Sequence, residues 1–188
     1  MGWIDRVPRA GNLFIGGLCA LYQANIVKDA GVTYVLSVID FDFYELTDST
    51  NFLKSKDYDH KVIQVDDDPN VDLLRHFQEM VEFIDRGLKN DGGVFVHCAM
   101  GKSRSATAVI AYLMWKYGVS VNEGLEQLCE GRPVCSPNPG FLEQLAVWHT
   151  MLRESSQSSI NRLYDEWLQG RFKGEPHEWE ARAAKARL

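Results

Sequence analysis

Short apolar runs and longer amphipathic stretches take turns along this chain, the pattern of an α/β layered fold. Leu13 to Ile15 predicts a short strand closed by Gly16 and Gly17, and Gln23 to Ala30 a short helix stopped by Gly31. Tyr34 to Ile39 is rich in β-branched and apolar residues and predicts a buried strand, whereas Lys61 to Val65 alternates polar and apolar positions, as a half-buried strand does. An acidic turn follows, Asp66-Asp67-Asp68-Pro69-Asn70. Leu73 to Leu88 then carries apolar residues at 73, 74, 77, 80, 81, 84 and 88, an amphipathic helix with Asn70 or Asp72 as its cap. After a turn at Asn90-Asp91-Gly92-Gly93, Val94 to Val96 is a fully apolar strand.

Ser103 to Tyr117 is apolar nearly all round, so this helix is expected to lie buried against the sheet. Ser120 with Glu123 forms a capping box for a helix ending near Gly131, and Asn138 with Pro139 opens another as cap and first helical residue. That last helix presents Phe141, Leu142, Leu145, Trp148 and Leu152 on one face. The pattern is that of a compact domain over residues 1–155 and a helical, partly solvated extension over 156–188. In the extension Ile160, Leu163, Tyr164, Trp167 and Leu168 fall at helical spacing, a stripe read as packing back onto the parent domain, with partner docking as the alternative. The final stretch, with Pro176 and many charges, is expected to be solvated.

Charge and cysteine usage narrow the classes. A formal net charge of −6 argues against direct nucleic-acid binding, which needs clustered Lys and Arg. No apolar run approaches the roughly 20 residues of a membrane span, and Met1 to Asp5 lacks a signal peptide's apolar core. Met1-Gly2 could open a myristoylation signal, but Arg6 stands where Ser or Thr belongs. The four cysteines, Cys19, Cys98, Cys129 and Cys135, form no C-x-x-C pair, so a zinc ribbon or dithiol motif is excluded. They are expected to be reduced thiols in the cytoplasm or nucleus. Cys19, Cys129 and Cys135 read as small buried hydrophobes.

Cys98 reads differently, because it ends a buried strand and precedes a buried helix in the segment Val96-His97-Cys98-Ala99-Met100-Gly101-Lys102-Ser103-Arg104-Ser105. A strand-to-helix turn aims several backbone N–H groups at one point, and the helix dipole adds positive potential there. The cradle formed by Ala99, Met100, Gly101, Lys102, Ser103 and Arg104 suits a phosphate and stabilises a thiolate at its base. Arg104 can hold two phosphate oxygens with its planar fork, which lysine cannot.

His97-Cys98, five residues, then Arg104-Ser105 resembles the signature loop of the protein tyrosine phosphatase superfamily. The likeness spans roughly residues 10 to 153 and extends to Arg132-Pro133 and Ser136-Pro137-Asn138-Pro139-Gly140-Phe141, which resemble the dual-specificity branch. It is most similar to the atypical subgroup that carries a C-terminal zinc-binding domain and is linked to large-ribosomal-subunit maturation; here no cysteine follows Cys135. The resemblance implies a central twisted mixed sheet flanked by helices, no metal or organic cofactor, and a phosphorylated protein substrate. It makes Cys98 the nucleophile, Arg104 the phosphate ligand and an aspartate about thirty residues upstream the general acid and base. Asp67, thirty-one residues before Cys98, best fits that register, with Asp66 the runner-up.

Ser105 is expected to help the Cys98 thiolate leave, as in the family, and His97 to order the loop as a buried hydrogen-bonded residue. Asn138 either braces the loop or simply caps its helix. Lys102 matches a lysine of lipid-directed relatives, but Ala99 stands where those carry a second basic residue, so a phosphoinositide substrate is the minor reading. No long insert with a pocket-deepening tyrosine loop is present, which implies dual specificity. A zinc enzyme or thiol protease lacks the ligand spacing it needs. The rival is a scaffolding role at a pre-ribosomal particle, with phosphatase activity secondary.

Overall fold

A computed structural model describes residues 3–42, 48–90 and 92–186; Asp91 of the expected turn lies outside them. Five strands, β1 (Ile4–Arg6), β2 (Leu13–Gly17), β3 (Val32–Ile39), β4 (Asp59–Gln64) and β5 (Gly93–Cys98), form one sheet in the order β1-β2-β5-β3-β4. Only β1 runs antiparallel to its neighbour. Helices α1 (Ala24–Asp29), α2 (Phe77–Lys89), α3 (Arg104–Tyr117), α4 (Val121–Gly131), α5 (Pro139–Met151), α6 (Gln157–Gly170) and α7 (Pro176–Ala186) surround it. The expected mixed sheet flanked by helices is the one observed. None of the described helices is long and apolar enough to cross a membrane.

All six residues of β5 are buried, because the strand sits mid-sheet with helices on one face and the α1 layer on the other. Strand alternation sorts its side chains: Val94 and Val96 enter the larger core with α2, α3 and α5, while Phe95 joins Val35, Ile39, Leu21 and Val27 on the opposite face. His97 stacks on Phe95, with ring centroids 5.4 Å apart, and so shares that second face. In α3 every residue from Arg104 to Met114 is buried, as expected of a helix apolar nearly all round.

Several local expectations change. The amphipathic segment from residue 73 opens as a single 3-10 turn, Leu74–His76, before α2 begins. Its cap is shared: Asp72 Oδ1 accepts from the Arg75 amide (3.2 Å), and Gln144 of α5 accepts from the amides of both Leu73 and Leu74 (2.8 Å each). Asn70 does not cap it; its side chain is bonded to the C-terminal extension. Cys19 is exposed rather than buried. In the extension Ile160, Leu163, Tyr164 and Trp167 pack against the main core. The final stretch is not simply solvated, since it folds as α7 and buries Trp179 to 3% exposure.

Candidate active site

β5 ends at Cys98, α3 begins at Arg104, and residues 99–103 wrap the space between them. The Cys98 sulfur is buried at the base of this turn, where it accepts from the Gly101 amide at 3.2 Å and lies 3.3 Å from the Ser105 hydroxyl.

The loop's amides can face inward because its carbonyls are held from behind. Arg132, at the end of α4, donates from Nε to the Gly101 carbonyl (2.9 Å) and from Nη2 to the Met100 carbonyl (3.1 Å). Its Nη1 is paired with Asp5 of β1 at 2.5 Å. Ser136 N donates to the Lys102 carbonyl, and Leu18 N to the Ala99 carbonyl. Gly101 takes φ +68°, and a Cβ there would run into the backbone of Gly16, so the turn requires glycine on both counts.

Arg104 is buried, with Nη1 donating to the Val65 carbonyl (3.1 Å) and paired with Asp40 Oδ1 (3.2 Å). Its Nε has no hydrogen-bond partner among the described residues; the nearest anion is Asp67 Oδ2 at 3.9 Å. A buried guanidinium N–H without an acceptor is costly, and an oxyanion seated over Cys98 would satisfy it.

The three aspartates of the acidic turn separate clearly. Asp67 Oδ1 accepts from Ser103 Oγ (2.6 Å) and from Asn138 Nδ2 (2.9 Å), which leaves Oδ2 on the Arg104 side with the side chain 35% exposed. Asp68 instead accepts from the Asn70 amide in a local turn, and Asp66 is exposed. Asn138 both braces and caps: its Oδ1 accepts from the Phe141 amide at 2.9 Å while its own amide donates to Ser103 Oγ at 3.1 Å. Ser103 thus links loop, acid turn and α5.

His97 is fully buried, and its roles follow from its partners. Its Nδ1 faces the Cys98 carbonyl (3.3 Å), which can only accept, so Nδ1 carries the proton. Its Nε2 therefore accepts from Ser37 Oγ at 2.6 Å, and Ser37 in turn accepts from His60 Nε2 at 2.8 Å. Parallel pairing of β3 with β5 sets Ser37 beside His97. Burial pushes the His97 pKa down to about 3 and that of His60 to about 4, so both rings stay neutral at physiological pH. Burial likewise pushes the Cys135 thiol up to about 12.

Met100 is 68% exposed and Lys102 is exposed, so these two form the rim, whereas Ser103 and Arg104 are buried. Four contributors carry no signal in the sequence pattern: Asp5, Ser37, Asp40 and His60. Arg132-Pro133 is marked in the sequence only by the family likeness.

Residues 13–151 match the family described as dual specificity phosphatase, catalytic domain. Dual specificity protein phosphatase 1 of Arabidopsis thaliana is 37% identical over 155 residues, covering 81% of this chain and 74% of that protein. Tyrosine-protein phosphatase YVH1 of Saccharomyces cerevisiae is 31% identical over 159 residues, 75% of this chain but 42% of that longer protein. The crystal structure of the Yvh1 phosphatase domain from Chaetomium thermophilum superposes with a TM-score of 0.70 at 36% identity, covering 82% of this chain and 99% of that one.

Proposed function

The chain belongs to the dual specificity phosphatase family, cysteine-dependent protein phosphatases, and on that premise we propose that it cleaves side-chain phosphate monoesters through a phosphocysteine on Cys98. The observation that carries this reading is one loop that holds both groups: among the described residues the buried Nε of Arg104 has no acceptor, and the buried Cys98 sulfur accepts from the Gly101 amide within hydrogen-bond reach of Ser105.

The Cys98 thiolate gives an electron pair to phosphorus as the bond from phosphorus to the leaving oxygen breaks. Arg104 and the amides of residues 99–103 hold the equatorial oxygens, where transition-state charge accumulates. Asp67, protonated on Oδ2, passes that proton to the leaving oxygen. Its carboxylate then takes a proton from the water that attacks phosphorus, the S–P bond breaks, and inorganic phosphate leaves. The Ser105 hydroxyl donates to the departing sulfur, while His97 steadies the loop through the Cys98 carbonyl. No metal or organic cofactor enters these steps.

The open rim at Met100 supports a shallow pocket that admits phosphoserine and phosphothreonine as well as phosphotyrosine. Ala99 in place of a second basic residue argues against phosphoinositides. Hydrolysis of para-nitrophenyl phosphate and of the three phosphopeptides, in EDTA, tests the assignment. Cys98→Ser should be inactive, and Asp67→Asn should lose far more than Asp66→Asn. Full activity in Cys98→Ser, or inert wild type, would overturn it.

The resemblance of the sequence to the subgroup linked to large-ribosomal-subunit maturation supports a second reading, in which the domain serves a pre-ribosomal particle in the cytoplasm or nucleus and catalysis is secondary. Cys98→Ser would then sustain growth in cells that fail without the protein, whereas a requirement for catalysis would abolish that rescue.

A further inference from the structure

The turn that carries Asp67 is held at both ends, and one end is held by chain that lies outside the family match of residues 13–151. Asn70, three residues after Asp67, makes three hydrogen bonds to the C-terminal extension. Its Oδ1 accepts from the Gly174 amide (2.9 Å) and the Trp179 indole N–H (3.1 Å), and its Nδ2 donates to the Gly174 carbonyl (3.0 Å). Trp179 is seated at 3% exposure, edge-on to Phe172 with centroids 4.8 Å apart. Arg182 anchors this segment to α5 by pairing with Glu143 at 2.5 Å. On the far side the turn rests on α5, where Gly140 meets the Pro69 backbone too closely for any side chain to intervene. One turn further along, the Tyr164 hydroxyl donates to Asp72 at 2.6 Å.

We infer that residues 172–179 are a strap that positions the acid turn, with Asn70 and Trp179 acting on catalysis through the placement of Asp67. The inference rests on Asp67 being the general acid. Asp67 reaches Ser103 and Asn138 through one carboxylate oxygen only, so the aim of the other depends on how the turn backbone is held. A group fastened by three bonds, two to the Gly174 backbone and one to a buried indole, is well held. Released, the turn keeps its charge but loses its register, and proton transfer is sensitive to displacements of about 1 Å. The cost falls on substrates that need the proton. An alkoxide leaving from phosphothreonine needs it fully, and a phenolate, with a conjugate acid of pKa about 10 or below, needs it less. The strap therefore sets the ratio of phosphothreonine to aryl phosphate turnover.

Asn70→Ala, Trp179→Ala and Trp179→Phe would each be made in the full chain, in wild-type and Asp67→Asn backgrounds. Single-turnover rates would be read on a phosphothreonine peptide and para-nitrophenyl phosphate, with urea midpoints alongside. General acid catalysis is worth about 10²- to 10⁴-fold, so the alanine variants should lose about tenfold in the saturating single-turnover rate on the peptide, with the half-saturating concentration unchanged. The loss on the aryl phosphate should be under about threefold, and Trp179→Phe, which keeps an aromatic ring but removes the N–H together with the second ring of the indole, should fall between. In Asp67→Asn the same substitutions should cause no further loss. Equal losses on both substrates, losses that persist in Asp67→Asn, or unchanged kinetics would each overturn the strap. If Asp67→Asn itself leaves both rates unchanged, the acid assignment falls first and the strap with it.

Discussion

Acidification should unfold this protein through two histidines beneath the active-site loop. His97 and His60 are held neutral in the folded chain, with pKa values pushed down to about 3 and about 4 by burial. In the unfolded chain both return to about 6.5, so below that pH the unfolded state binds protons the folded state refuses. The stability that rests on the neutral rings is complete above pH 6.5 and is lost as pH falls toward the folded values. Integrating the proton difference from pH 7 to pH 5 gives a loss of about 2 kcal/mol for each histidine, about 4 kcal/mol together. That is a large part of the 5–15 kcal/mol, roughly, that holds a domain together. His60→Gln isolates one share, since the carboxamide can still donate to Ser37 while carrying no titratable proton. Urea unfolding at pH 7 and pH 5 should show the variant losing about 2 kcal/mol less than wild type over that interval. Parallel losses would refute the reasoning and mean that His60 titrates normally in the fold.

Arg132→Met should lower stability in urea by about 3 kcal/mol, because the half-buried Asp5 loses this guanidinium, and activity should fall as the Met100 and Gly101 carbonyls are released. Arg132→Lys should restore only part of both, as an ammonium cannot span three acceptors with a fork. Gly101→Ala should weaken inhibition by inorganic phosphate or vanadate by well over tenfold, since the new Cβ meets Gly16 and the left-handed turn alone costs about 1–2 kcal/mol; an unchanged inhibition constant would mean that the loop can rebuild. Ser120→Ala, which removes one arm of an exposed capping box, should lower stability by about 1 kcal/mol and leave para-nitrophenyl phosphate turnover alone, a control in which local stability and the site are separated.

The features legible in the chain are those whose partners lie within a few residues. The Ser120–Glu123 box, the Asn138 cap with Pro139, and the turn from Cys98 to Arg104 each close over a short stretch of backbone, so residue type and spacing suffice to specify them. The buried character of α3 was equally plain, because a helix apolar nearly all round has nowhere else to go. The family resemblance favours Asp67 over Asp66, and in the fold it is Asp67 that lies beside Arg104. Other features depended on the assembled sheet. β1 is three residues long, too short to show a period, and it exists because Ile4 and Arg6 pair across to Gly16 and Phe14. Asp5 finds Arg132 across 127 positions, and Asn70 finds Trp179 across 109. Ser37 joins His60 to His97 only because β4, β3 and β5 lie side by side. Side chains such as these carry no local signature of their task, since a charge or hydroxyl on a strand looks the same to its sequence neighbours whether it meets water or a buried partner. The chemistry at Cys98 was therefore written in ten consecutive residues, while the means of holding it in place came from chain that only the packing of sheet and helices brings together.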